Sequence, residues 1–133
     1  MKETEMLVQP CARVSCAWCR GNALLKQYHD EEWGIHPLHD DQKQFEFLTL
    51  ETMQCGLSWM TVLNKREAMR AAFDGFDPRK IAVYDEDKLA ALLQAPGIIH
   101  SAPKLRAMVG NARAFLRVQA EFGSFDAYFW RFT

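Results

Sequence analysis

Recurrent helix caps are the feature that most constrains the fold of this chain. Residues that cap helix N-termini precede segments with apolar residues at helical spacing, and glycines stand where such segments stop. Asp41 with Gln44 fits a capping box, and we expect the following helix to run to about Cys55, before a left-handed Gly56. The other predicted caps are Ser58, Asp77, Asp85, Ser101 and Ser124.

The longest predicted helix begins after Ser101 and ends at Gly123. Its apolar residues repeat at intervals of three and four, which places them on one face. They are Leu105, Met108, Val109, Ala112, Phe115 and Leu116. Because the alternation of apolar and polar residues that is typical of β-strands is essentially absent, we predict an all-α fold. We expect one helical domain over residues 15–133 behind a loose N-terminal tail over residues 1–14.

The composition narrows the class of protein. A chain of 133 residues can bury one real core. No apolar run approaches the about 20 residues that a membrane span needs, and the polar start carries no signal segment. We therefore expect a cytoplasmic protein without a membrane partner. Its four cysteines should then be reduced thiols or metal ligands.

A basic segment stands out although the net charge is only -1. No acidic residue occurs from Pro96 to Ala120, and the segment contains Lys104 and Arg106. It includes a glycine-containing turn between two predicted helices. The backbone N–H groups of this turn and of the helix start could donate hydrogen bonds to a phosphate. Two alternatives to a phosphate-binding site stay open. In one, the turn is a helical hairpin with a packing role only, and in the other, the basic residues form an ordinary solvent-exposed helix face.

One carboxylate and several aromatic rings are candidates for a ligand pocket. Glu51 lies beside Leu50 and one turn after Phe47, so we expect it on an apolar helix face. Such a carboxylate either binds a ligand or forms a buried ion pair. The rings either sandwich a flat, cationic base or fill the core. They belong to Trp18, Tyr28, Trp33 and Trp59.

A metal site is a further hypothesis from the residues alone. Cys16 and Cys19 form a C-x-x-C pair, and His29 follows ten residues later. Structural zinc usually takes four ligands, often from two such pairs, and the chain has no second pair. With Cys11 these residues would make a small zinc-binding interaction domain, which stays open as an alternative.

Several strings together resemble one family, 3-methyladenine DNA glycosylase I. The most specific are Tyr-His-Asp-Glu-Glu-Trp-Gly from Tyr28 and Gly-Leu-Ser-Trp-Met-Thr-Val-Leu from Gly56. Cys-Ala-Trp from Cys16, Gly-Ile-Ile-His from Gly97 and Gly-Asn-Ala-Arg-Ala-Phe-Leu from Gly110 fit as well. The resemblance is colinear from about Cys16 to Phe132.

The resemblance implies a helix–hairpin–helix DNA glycosylase fold and a monomeric repair enzyme. Such an enzyme flips 3-methyladenine out of double-stranded DNA and hydrolyses its N-glycosidic bond. Glu51 would bind the edge of the base, and Tyr28 and Trp59 would line the pocket with Trp18 nearby. The residues expected to contact the DNA backbone are Gly97, Ile98, His100, Lys104 and Arg106. Asp126 is interpreted as an ordinary surface residue.

The resemblance also implies a structural zinc, of which this chain supplies only half the ligands. Cys16 and His29 match two family ligands, whereas the other two come from a C-terminal segment beyond Thr133. We therefore expect no stoichiometric zinc, with Cys16 and His29 at an exposed surface. Phe129 and Trp130 should be partly uncovered for the same reason. The alternative to an active glycosylase is a weakly active or inactive DNA-binding fragment of the family.

Overall fold

The computed structural model describes residues 16–33 and 39–132, and these form helices and turns without a strand. The predicted all-α class is confirmed. The chain divides into two units, residues 1–37 and 38–133. In the first unit a 3-10 turn, Ala17–Cys19, precedes helix α1, Ala23–Glu31. The side chain of Asn22 caps α1 by accepting hydrogen bonds from two backbone N–H groups.

The second unit contains six α-helices in its described part. They are α2 (Asp41–Met53), α3 (Trp59–Ala72), α4 (Pro78–Ile81), α5 (Glu86–Leu93), α6 (Ala102–Phe122) and α7 (Phe125–Phe129). Short 3-10 turns lie at Asp74–Phe76 and Trp130–Phe132. Five predicted caps are confirmed, because each side chain accepts a hydrogen bond from the first turn of its helix. These caps are Ser58, Asp77, Asp85, Ser101 and Ser124.

The predicted cap of α2 is wrong by one residue. Asp40 caps the helix, and its carboxylate accepts a hydrogen bond from the Lys43 amide. Asp41, the first helical residue, instead bonds the start of α7, accepting from the N–H groups of Phe125 and Asp126. The helix also ends at Met53, before the predicted Cys55.

Helix α6 lies at the centre of the second unit and packs against α2, α4, α5 and α7. Of the six apolar residues predicted for its inner face, five are buried, from Leu105 to Phe115, and Leu116 is half-buried. The rings of Phe45 and Phe115 meet edge to face with centroids 5.2 Å apart. The spacing of apolar residues therefore predicted both the helix and the face that it buries.

None of the helices in the described ranges is long and apolar enough to cross a membrane. The predicted tail, residues 1–14, lies outside the described residues, and so does Cys11. At the other end, Phe129 is 44% exposed and Trp130 is half-buried, as expected.

Candidate active site

Glu51 lies on the exposed side of α2, so its expected place on a buried face is wrong. The buried residues of this helix include Phe45, Thr49, Leu50 and Met53. A step of one residue turns the chain about 100° around the helix axis, which carries Glu51 away from Leu50 and towards solvent. No hydrogen bond or ion pair engages its carboxylate among the described residues.

The buried carboxylate of α2 is Glu46, which is 3% exposed. It accepts hydrogen bonds from two arginines of α3. Arg66 donates through Nε at 2.8 Å and also through Nη2, and Arg70 donates through Nη1 at 2.7 Å. The bond to Glu46 raises the pKa of Arg70. The buried ion pair considered for Glu51 therefore exists one and a half turns earlier, and the apolar spacing alone did not indicate it.

Glu51 and Trp59 lie on either side of the turn that joins α2 to α3. Gly56 has a φ of 78°, the left-handed conformation predicted for it. Leu57 donates its amide to the Gln54 carbonyl at 2.7 Å, and the Gln54 side chain returns a bond to the Leu57 carbonyl at 2.8 Å. Trp59, half-buried, is the first residue of α3 and packs against the core.

The predicted hairpin joins α5 to α6 over residues 94–101. Gly97 has a φ of 77°, and the side chains of Ile98 and Ile99 are buried. The Ile98 side chain is therefore not available for a direct contact with a ligand. His100 is exposed, and its ring Nε2 bonds the Ala95 carbonyl.

The two basic residues expected to contact DNA are placed differently. Lys104 donates its ammonium to the carbonyls of Met53 and Cys55, at 2.8 and 2.6 Å. Arg106 has an exposed side chain, 3.7 Å from the carboxylate of exposed Glu86. The Arg106 charge is therefore exposed to solvent, whereas two carbonyls already accept hydrogen bonds from the half-buried Lys104.

In the first unit, three rings form a cluster. Trp18 meets His29 edge to face at 5.1 Å and Trp33 at 5.6 Å, and His29 stacks on Trp33 at 5.2 Å. Trp18 is 49% exposed, which leaves much of its ring accessible. Tyr28, half-buried, precedes His29 on α1.

The two proposed metal ligands differ in exposure to solvent. Cys16 is exposed as expected, but the expectation of an exposed His29 is wrong, because its side chain is buried. Its Nδ1 lies 3.0 Å from the Asp30 carboxylate, while Nε2 has no hydrogen-bond partner among the described residues. A histidine oriented in this way through one nitrogen fits a metal ligand.

The remaining ligands of a compact zinc site are not assembled in the described residues. Cys19 is fully buried, and its thiol donates to the Cys16 carbonyl at 3.0 Å. Residues 16–33 and 39–132 contain no group of three or more potential metal ligands. The donor set therefore fits a part of a zinc site and does not complete it.

A separate cavity of about 290 Å³ lies between α2 and α6. Its lining includes Leu48, Phe115 and Phe125, and Glu51 is not part of it. Sequence reasoning missed this cavity, since it is formed by residues that are distant along the chain. Its mainly apolar lining, with Thr52 and Asn111 as polar members, provides no carboxylate for a charged base.

Comparison with known proteins finds relatives that match most of this chain. A family described as methyladenine glycosylase matches residues 18–133. DNA-3-methyladenine glycosylase 1 of Escherichia coli (strain K12) is 44% identical over 118 residues, which are 89% of this chain and 63% of that protein. A crystal structure of 3-methyladenine DNA glycosylase I superposes with a TM-score of 0.84 at 44% identity, covering 90% of this chain and 65% of the other.

A third similar protein is 3-methyladenine DNA glycosylase I from Staphylococcus aureus, whose structure addresses 3-methyladenine recognition. It superposes with a TM-score of 0.84 at 37% identity, over 88% of this chain and 62% of that protein. The chain thus spans slightly less than two thirds of the length of these relatives.

Proposed function

Because this chain belongs to the methyladenine glycosylase family, we propose that it excises 3-methyladenine from double-stranded DNA. The reaction is hydrolysis of the N-glycosidic bond after the damaged nucleotide is flipped out of the duplex. The family match over residues 18–133 carries this proposal. The exposed carboxylate of Glu51, without an ion pair in the described part of the chain, supports it.

The chemistry explains why one carboxylate and flat rings suffice. An adenine methylated at N3 carries positive charge while it is bonded to the sugar, so it is already a good leaving group. The enzyme has to bind and orient this base rather than protonate it. Glu51 accepts hydrogen bonds from the base edge, and its negative charge stabilises the cation. The face of Trp59 attracts the same cation through its π-electrons.

The hairpin supplies the contact with the DNA backbone in this proposal. The Ala102 amide at the start of α6 and the amides of the Gly97 turn can donate to a phosphate, as the N–H groups of a helix N-terminus do. Arg106 and His100 are exposed beside them. For Trp18 and Tyr28 we propose contacts with the flipped base on the family resemblance alone.

Replacement of Glu51 by glutamine tests the base-binding role. The Glu51→Gln variant should lose at least about tenfold in the single-turnover rate of 3-methyladenine release, because the negative charge proposed to stabilise the cationic base is gone. Glu121→Gln, an exposed glutamate of α6, is the matched control and should keep the wild-type rate. An unchanged rate in Glu51→Gln would contradict the role of this carboxylate.

The second candidate is a DNA-binding fragment without catalysis, which is favoured by the position of Glu51 outside the cavity between α2 and α6. Both candidates bind duplex DNA, but only the enzyme releases free base. If excess wild-type chain binds methylated DNA and releases no 3-methyladenine, the fragment is the correct assignment.

For zinc, we propose that the chain as given does not hold a stoichiometric ion. His29 is oriented for a metal, but with the Cys19 thiol bonded to Cys16 the described residues offer too few donors to close a tetrahedral site. Metal analysis of purified protein should therefore give well below one zinc per chain. One tightly held zinc per chain, lost on Cys19→Ser, would instead establish the compact zinc-binding domain.

A further inference from the structure

We infer that Lys104 is a positioning residue for the proposed reaction, holding the turn between Glu51 and Trp59. This inference rests on the proposed function. Lys104 belongs to the first turn of α6, and the residues that it holds end α2 and begin the following turn. It therefore links the hairpin helix to the two proposed base-binding residues.

The contacts of Lys104 are well suited to this role. Its Nζ lies 2.8 Å from the carbonyl of Met53, the last residue of α2, and 2.6 Å from that of Cys55. The last carbonyls of a helix have no partner within the helix. A cation at this end also interacts favourably with the helix dipole. The ammonium thus satisfies both backbone groups and fixes where α2 ends.

Besides Lys104, the turn is held by its own hydrogen bonds and by the packing of Leu57 against the core. Cys55 and Gly56 are exposed, and the turn's own bonds join Gln54 to Leu57. An exposed turn of this kind opens more easily than the helices around it. Any movement here changes the distance between the Glu51 carboxylate and the Trp59 ring, which must contact one base together.

The other end of the link is rigid. Ser101 caps α6 and accepts a hydrogen bond from the Lys104 amide, and the neighbouring Leu105 is fully buried. The hairpin itself packs closely, since a Cβ built at Gly97 would lie 3.0 Å from the Ala68 Cβ of α3. Lys104 therefore extends from a capped, buried helix start to an exposed turn.

The same geometry argues against Lys104 as a main phosphate contact. Two of its three ammonium donors are directed at carbonyls, and the side chain is half-buried. Arg106 is exposed, and a surface pair at 3.7 Å with exposed Glu86 competes weakly with a phosphate. The phosphate contact is thereby assigned to Arg106 and the positioning role to Lys104.

Three variants separate the two roles: Lys104→Met, Lys104→Arg and Arg106→Met. Lys104→Met should lower kcat on methylated duplex about tenfold with little change in KM, because pocket geometry is lost and not DNA affinity. It should also speed hydrogen exchange at the Leu57 amide about tenfold. Lys104→Arg keeps donors for the carbonyls and should restore most of kcat.

Arg106→Met is the charge-matched control. It should reduce the slope of log affinity against log salt for unmethylated duplex by about one and leave Leu57 exchange unchanged. If Lys104→Met flattens that slope and leaves kcat and Leu57 exchange intact, the positioning role is wrong. If the wild-type chain releases no 3-methyladenine, the proposed function fails, while the exchange measurement still decides whether Lys104 holds the turn.

Discussion

The two halves of α2 use the same kind of side chain in opposite ways. In the N-terminal half, Asp41 and Glu46 have every carboxylate oxygen engaged, Asp41 by three donors and Glu46 by two arginines. In the C-terminal half, Glu51 is exposed, and the described residues provide no partner for it. One helix therefore has a half that ties the fold together and a half that is available to a ligand.

The difference shows that a carboxylate's role follows from its partners rather than from its position on a helix. A carboxylate that is fully bonded inside the protein has no acceptor left for a base, and moving it would leave partners unsatisfied. An exposed carboxylate beside a turn costs little to maintain and can exchange water for a ligand. The following variants test whether stability and chemistry separate along α2 in this way.

The largest effect is expected at Glu46. Glu46→Gln should lower the free energy of unfolding by about 3 kcal/mol, because two arginines lose a charged partner and Arg66 is almost buried. Urea unfolding of the variant and of Glu121→Gln, its exposed counterpart, measures the difference. A loss below about 1 kcal/mol would mean that the N-terminal half does not depend on this ion pair.

Asp41 should have the next largest effect. Asp41→Asn removes the charge that accepts from Gln119 and from two N–H groups of α7, so we expect a loss of about 2 kcal/mol at pH 7. The exposed Asp87→Asn is the control. Equal stability of both variants would contradict a structural role for Asp41.

Acidification tests the same residue independently. Burial alone would raise the pKa of Asp41, but the bonds from Gln119 and the two amides outweigh it and lower the pKa. A lowered folded pKa adds stability above the unfolded value of about 4, and this contribution disappears as the pH falls through the folded pKa. The stability difference between wild type and Asp41→Asn should therefore shrink between about pH 5 and pH 2. A stability difference that stays constant over this pH range would rule out a lowered pKa for Asp41.

The smallest effect on stability is expected at Glu51. Glu51→Gln should change the free energy of unfolding by less than about 0.5 kcal/mol, since an exposed side chain that bonds to none of the described residues contributes little. The same urea titration measures it. A loss as large as that of Asp41→Asn would end the distinction between the two halves of α2.

Local signals predicted most of the fold. Caps such as Ser58 and Ser101 act within three residues, and the inner face of α6 follows from the spacing of its own side chains. The choice between Asp40 and Asp41 as the cap was not decidable locally. The actual role of Asp41 depends on Gln119, 78 residues later.

The site was predicted less well because its contacts are long-range. The family resemblance indicated Glu51 and Trp59. The apolar spacing along α2 nevertheless predicted a buried face for Glu51, which is exposed. The hydrogen bonds of Lys104 join residues about 50 positions apart, which no local pattern predicts. Asp126, interpreted as an ordinary surface residue, is half-buried and accepts a hydrogen bond from Gln44. Charge patterns along the sequence identify a basic segment, but they do not show which cations already have partners.

The close approach of Gly97 to Ala68 links two positions that are distant in sequence. Any side chain at 97 meets two separate obstacles, a left-handed backbone at φ 77° and the methyl group of Ala68. Shortening residue 68 to glycine removes the second obstacle and leaves the first. Position 97 therefore accepts no side chain without strain, and the hairpin on which DNA binding is proposed to depend lies directly against a small residue of α3.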